Sequence, residues 1–483
     1  MLENLEPKTV FQYFEEICHV PHEAYDCGRM ADYLEQFAQE RNLKHYRDHA
    51  NNVVIYKDAT AGYEEAKPLI LQGHIDMVCA KDKGSFFDFH NDSLEPYVDG
   101  DFVRARGTSL GADDGIAVAM FLAILDAPEG TLKHPRLECV FTANDTVGLQ
   151  GAMQLDVSQL EGRRMINLDS QEEGTFVVSC AGGINATHRF LINRKPETGR
   201  EIGLEIKGLQ GGHSGLAIDK GRANALKLMG RLLYNLTDKV KFNLVTLEGG
   251  EHQFAICNRA RASIIVNEPS VEVVQAIIAE RNQIYAKEYE NSDPGVEISM
   301  EVMDFGTHSA LTAMDTDRMM AYVMAAPHGI LFMRHDIEGV VETSINMGKM
   351  RLEKEEFHAE YSIRSSVDTK RKYIVDRLTT LGWAFSAVTT TGGEYPGWNF
   401  RRESPLRETA TEVYIRQNGK APEIKALHAG MECGIFAGKL GPETDIISTG
   451  PQVLDAHTIN ERLSISSTQR VWEFLVQLLA ECR

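Results

Sequence analysis

A chain of 483 residues is too long for one ordinary core, so two or three domains are expected, and 43% hydrophobic with 25% charged residues is the composition of a soluble globular protein. A formal net charge of −20 argues against general binding to nucleic acid or to an anionic membrane, both of which need a positive field. The opening "MLENLEPKTVFQYFEEI" has no basic-flanked apolar core, no run approaches the ~20 apolar residues of a membrane span, and eight scattered cysteines include no closely spaced pair, so a cytoplasmic protein with reduced thiols is expected.

Up to Cys180, buried-strand runs alternate with helical patterns. "NNVVIYKDA", "KPLILQGHIDMV", "RLECVFTAND" and "RMINLDS" read as strands ending in polar residues, and "GIAVAMFLAILDA", after the Gly-rich turn "GADDG", as a helix buried on most sides. This alternation predicts an α/β sandwich with a largely parallel sheet, whose ligand crevice lies beyond the C-terminal strand ends. From about Asn185 the pattern changes to half-exposed antiparallel strands such as "EIGLEIKGLQGGHSG" and "EEFHAEYSIRSSVD", with helices such as "ANALKLMGRLLYNL" between them. After "VTTTGGEYPGW" the chain returns to α/β: helix "SPLRETATEVYIRQNG", strands "EIKALHAG" and "DIISTG", and a closing helix "STQRVWEFLVQLLAECR".

His74 and Asp76 in "GHID", Asp113 in "GADDG", Asp169 in "NLDS" and His457 in "DAHT" look like most of a two-metal hydrolase centre. Where such a centre would keep an adjacent pair of carboxylates, the chain reads Asn144-Asp145-Thr146. Because His457 belongs with the earlier ligands, the α+β region reads as an insertion: 1–184 and 393–483 form one domain, and 185–392 another.

These segments, with "VRARGTSLGADDGIAVA", "INLDSQEEG", "GLQGGHSGLAIDKGRANA", "VETSINMG" and "LHAGMECGIF", resemble the aminoacyl-histidine (Xaa-His, carnosinase-type) dipeptidase family of dizinc peptidases nearly end to end. The resemblance implies a zinc-peptidase-like mixed sheet sandwiched by helices, with 185–392 as an inserted α+β lid of dimerisation type. It implies that His74, Asp113 and Asp169 bind one zinc, and that Asp113 bridges to a second held by His457 and a glutamate. Asp76 would orient His74, Asp145 would stand on the general base, and His213 would polarise the scissile carbonyl. Arg364 and Asn346 are candidates for binding substrate, with a solvated arginine and a structural amide as the plain alternatives. The implied partner is a small peptide, and the chain a monomer or homodimer.

The departures bear on activity. Asp145 in place of glutamate withdraws the carboxylate by roughly 1.5 Å, and a ~1 Å misplacement can cost on the order of 100-fold. Thr146 replaces the second-metal glutamate with a neutral hydroxyl, a poor zinc ligand, and Phe254 stands where the family has an amide. One zinc is expected, or two if another group replaces the glutamate, with manganese or cobalt as alternatives. The expected function is a metal-dependent dipeptidase, weakened or repurposed; the alternative is an inactive homologue that binds peptides or amino-acid derivatives.

Overall fold

The computed structural model describes residues 2–483, which form two compact units. The first comprises residues 2–180, Trp398–Ala426 and Met431–Arg483; the second comprises Ala181–Gly397 and Leu427–Gly430.

The first unit is built on an eight-stranded sheet. Its centre holds four parallel strands, in the order Leu137–Thr142, Leu69–His74, Arg164–Asn167, Asp445–Ser448. Leu69–His74 and Leu137–Thr142 are buried at every position, as strands covered on both faces must be. The expected parallel character stops at the flanks. His45–Arg47 and Val53–Lys57 form an antiparallel hairpin, because the five residues between them cannot make a parallel crossover, and Thr175–Cys180 also runs antiparallel to its neighbour. The "GADDG" helix spans Ala112–Asp126 and is buried from Ala112 to Leu125. A helix apolar all round can sit only in a core, and this one packs against Leu69–His74 and the Lys8–Cys18 helix. The Pro405–Asn418 helix begins and ends as the sequence dictates: Ser404 Oγ accepts from the Arg407 N–H, and Gly419 closes it in the left-handed region.

The second unit carries a nine-stranded sheet: two β-α-β-β-α-β modules supply eight strands, and Gly329–Met333 pairs antiparallel with Val341–Leu352 as the ninth. One runs Arg194–Lys207, Ala225–Thr237, Asn243–Gly249, Ala260–Val266, Ser270–Glu288, Glu297–Leu311, with its strands in the order 4-1-3-2. The other runs Gly182–Leu191, Ala313–Ala325, Val341–Leu352, Glu356–Ser365, Asp368–Ala384, Val388–Tyr395, with its strands in the order 2-3-1-4. The two second strands pair antiparallel (Glu248 opposite Arg351, Gly249 opposite Met350), so one module repeats the other about a local two-fold. The first module is inserted between strand 1 and helix 1 of the second.

Asn224, from the "GRANA" motif, ties these modules together. Its Oδ1 caps the Ala225–Thr237 helix by accepting from the Leu226 and Lys227 N–H groups, and its Nδ2 donates to the Met347 carbonyl of the other module. Asn224→Ala removes both contacts at a buried position and should cost this unit about 1–2 kcal/mol. Chemical denaturation followed by hydrogen exchange at the Leu226 and Lys227 amides measures the loss; unchanged protection there would contradict it.

Candidate metal centre

Parallel strands deliver the residues of the first unit's rim. His74 ends Leu69–His74, Asp145 follows Leu137–Thr142 by three residues, and Asp169 follows Arg164–Asn167 by two. Asp113 and Asp114 open the apolar helix with non-helical backbone angles, after Gly111 in the left-handed region. Gly73 admits this arrangement: a Cβ there would lie 2.5 Å from Asp114 Oδ2. His457 comes from the turn between Val453–Leu454 and Arg462–Ser464, a short antiparallel pair within a second, four-stranded sheet.

His74 is fully buried, and its Nδ1 lies 2.9 Å from the Asp76 carbonyl oxygen. That bond places the proton on Nδ1 and turns the Nε2 lone pair toward the acidic groups, the tautomer a metal ligand needs. Nε2 lies 3.4 Å from Asp113 Oδ1, 3.8 Å from Asp169 Oδ1 and 3.9 Å from Asp145 Oδ2. His74, Asp114 and Asp169 also present ligand atoms all within 4.8 Å of one another. The other Asp113 oxygen, Oδ2, lies 2.9 Å from His457 Nε2, so one carboxylate faces both histidines.

The Asp76 carbonyl, rather than its carboxylate, orients His74; Oδ1 is 3.6 Å from Nδ1. The carboxylate is taken up by the Asp145–Thr146 segment: Asp145 N–H donates to Oδ1 at 2.9 Å, and Thr146 donates to Oδ2 from its N–H at 3.1 Å and its Oγ1 at 2.7 Å. Thr146 thus spends its hydroxyl on Asp76, and Asp145 projects to the His74 side.

Charge is distributed unevenly over these acids. Burial opposes ionisation of Asp76, but the neighbouring His74, with the Asp145 and Thr146 donors, holds it down to about 2. Asp113 is likewise held low, against its burial, by His457 and His74. Burial raises the Asp145 carboxyl to about 6, reinforced by Asp76 and Asp113, and raises Asp114 and Asp169 well above the usual range. His74 is driven up despite its burial by Asp145, Asp113 and Asp76.

Four participants escaped the sequence reading. Asp114 is indistinguishable there from its neighbour. Glu461 accepts from the N–H groups of Leu110, Gly111 and Asp113 (2.8, 3.0 and 3.2 Å), pinning the start of the apolar helix. Gln171 Nε2 donates to Asp113 Oδ2 at 2.7 Å. Glu432 is fully buried; its Oε2 accepts from Gln72 (2.5 Å) and Thr142 (2.6 Å), while its Oε1 has no partner.

The remaining predicted residues gather in the second unit. His213 pairs across a two-stranded ribbon with Ala255. Its Nδ1 accepts from the N–H groups of Gly215 (3.2 Å) and Leu216 (3.1 Å), so the proton of the neutral ring sits on Nε2. Burial and the Arg364 charge lower its pKa to about 4. Arg364, nearly buried, donates to Ser214 Oγ (3.3 Å) and Tyr395 Oη (2.8 Å), and its Nη2 stands 3.4 Å from His213 Nε2. Two donors facing each other across that gap form a place for an acceptor, and no carboxylate among the described residues pairs with Arg364. Asn346 does something else: fully buried, it donates from Nδ2 to the carbonyls of Gln253 and Ala255, both at 2.8 Å, and so holds the loop carrying Phe254.

A family model described as a peptidase dimerisation domain matches residues 204–293. The cytosol non-specific dipeptidase of Escherichia coli (strain K12) is 36% identical over 482 residues, covering 99% of each chain. The crystal structure of aminoacylhistidine dipeptidase from Vibrio alginolyticus matches with a TM-score of 0.92 at 33% identity, over 100% of this chain and 98% of that one. A tripeptidase from Staphylococcus aureus, 16% identical with a TM-score of 0.57 over 99% of each chain, shares the fold.

Raised carboxyls and a raised imidazole have one consequence for the metal-free protein. At these groups the folded state holds protons that the unfolded chain releases, so their contribution to stability falls as pH rises from the ordinary carboxylate range, through about 6 for Asp145, toward neutrality. Buried histidines held neutral, His213 among them, contribute in the opposite sense over the same window, so the unfolding midpoint does not isolate the centre. Cation binding does isolate it, because an ion must displace the protons held there: chelator-treated protein should bind zinc more weakly at about pH 5.5 than at about pH 7.5, with proton release on binding. Equal affinity at the two pH values would refute this.

Proposed function

The chain belongs to the aminoacyl-histidine dipeptidase family of metallopeptidases, and from that premise we propose that it cleaves aminoacyl-histidine and related dipeptides with a metal held by His74, Asp113 and Asp169. It is a metal-dependent hydrolase of dipeptides. The observation that carries the site assignment is the convergence of Asp113, Asp145 and Asp169 oxygens on the free nitrogen of a buried histidine whose other nitrogen is tied down. One imidazole nitrogen with hard carboxylate oxygens suits zinc, and also manganese or cobalt. Bound there, the ion supplies Lewis acidity and lowers the pKa of a water.

The chain's own groups do the rest. Asp145 is the base: its backbone is held by Asp76 while its Oδ2 stands 3.9 Å from His74 Nε2, where it can take a proton from the attacking water and return it to the leaving amine. His213, neutral and protonated on Nε2, donates to the carbonyl oxygen of the scissile bond. Arg364 binds the substrate's free carboxylate, an assignment favoured by a buried guanidinium whose contacts are all neutral. Asn346 shapes this pocket by fixing the Gln253–Ala255 loop. The first unit is the catalytic domain and the second the lid; the dimerisation-type module within it is compatible with a monomer or a homodimer, and the acidic surface with a cytoplasmic location.

Xaa-His dipeptides are the substrates to test, with and without chelator. Asp145→Asn should lower kcat by about 10²–10⁴-fold while metal content is unchanged. Loss of the metal instead would make Asp145 a ligand and refute its role as base. His213→Ala should lower kcat by about 10²–10³-fold, again with metal content unchanged.

A further inference from the structure

The half of the centre around His457 differs from the half around His74 in one respect: its carboxylate oxygen is already satisfied. Asp113 Oδ2 accepts from His457 Nε2 at 2.9 Å and from Gln171 Nε2 at 2.7 Å. An ionised carboxylate only accepts, so the Gln171 atom against it must be the amide nitrogen. The Gln171 backbone is fixed as well, since its carbonyl accepts from the Val453 N–H (3.0 Å) and Gln452 Nε2 (2.9 Å).

The other groups that could hold a second cation beside His457 are committed elsewhere. Thr146 donates its hydroxyl to Asp76, away from His457, and Asp145 turns to His74. Glu461 is taken up by three backbone N–H groups. Among the described residues a second ion would find one histidine, one shared oxygen that still accepts from Gln171 once His457 gives up its proton to bind, and no further carboxylate grouped with them, since Asp114 presents its ligand atom with His74 and Asp169. The donor set does not fit the second zinc of a two-metal peptidase, which requires three protein ligands or more.

We propose that Gln171 closes the second metal position, so that the chain carries a single divalent ion at the His74–Asp169 side and an amide N–H stands where the second cation would meet Asp113. This rests on the reading that His74, Asp113 and Asp169 bind a metal. The Gln171 amide and the Thr146 hydroxyl act together: Thr146 removes a carboxylate, and Gln171 supplies a fixed neutral donor to the oxygen left over.

The test is metal content, measured without reference to turnover. Purified full-length protein is stripped, loaded with zinc, desalted and analysed by elemental mass spectrometry; in parallel, the stripped protein is titrated with cobalt(II) and its visible absorption followed. The expected results are one zinc per chain and a cobalt spectrum complete at one equivalent. Two ions in the unaltered chain overturn the proposal and leave the metallopeptidase reading intact. No ion overturns that reading, and this proposal with it. Thr146→Glu alone should stay at one ion, because Gln171 still occupies Asp113, whereas Thr146→Glu combined with Gln171→Ala should rise to two. Two ions in the single variant, or one in a folded double variant, would show that Gln171 is not the closing group.

Discussion

The first unit is organised around an electrostatic conflict. Asp76, Asp113, Asp114, Asp145 and Asp169 crowd one buried imidazole. Two like charges ~4 Å apart repel by about 4 kcal/mol even at an effective dielectric of ~20. Without a cation these acids cannot all be ionised, and they divide accordingly: Asp76 and Asp113, rich in donors, stay charged, while Asp114, Asp145 and Asp169 are pushed toward the neutral form. A divalent ion removes the conflict, which is why the arrangement favours a metal over an ordinary buried ion pair.

An arrangement this repulsive persists only where its members cannot retreat. Beneath His74, Gln72, Thr142, Glu432 and Asn167 form one buried hydrogen-bonded group across three strands and the Glu432–Leu440 helix: Gln72 and Thr142 donate to Glu432, and Asn167 donates to Gln72. Glu461 fixes the turn before Asp113, and Asp145 and Thr146 are hung on Asp76 by three hydrogen bonds. Buried polar groups of this kind, largely satisfied, hold a single geometry.

Much of this was legible before any fold was known. His74, Asp145 and Asp169 stand at or just after strand ends that apolar runs announce, and the loss of a carboxylate at Thr146 is visible in the letters alone. The rest depends on distance through space. Gln171 and Glu461 act through hydrogen bonds to residues 58 and some 350 positions away, which no local pattern encodes. Asn346 was legible as part of a motif but not as a buried amide holding a loop. The largely parallel sheet failed at its edges, where hydrophobic runs look alike whichever way the strand runs. The doubled module left no repeat to find, because what repeats is a strand order, and one copy interrupts the other.

That doubling decides which strands end the main strand order of the second unit's sheet. Joining the two second strands leaves the fourth strands, Glu297–Leu311 and Val388–Tyr395, as its borders. They are dissimilar: one is a long strand exposing Val302 and Phe305 among acidic residues, the other a short run of threonines and glycines. Backbone pairing of like border with like is isologous and closes at two chains; pairing of unlike borders is heterologous and propagates unless the rotation closes a ring. The acidic side chains on the first border and the break in pairing between Gly392 and Tyr395 on the second are features that discourage such growth.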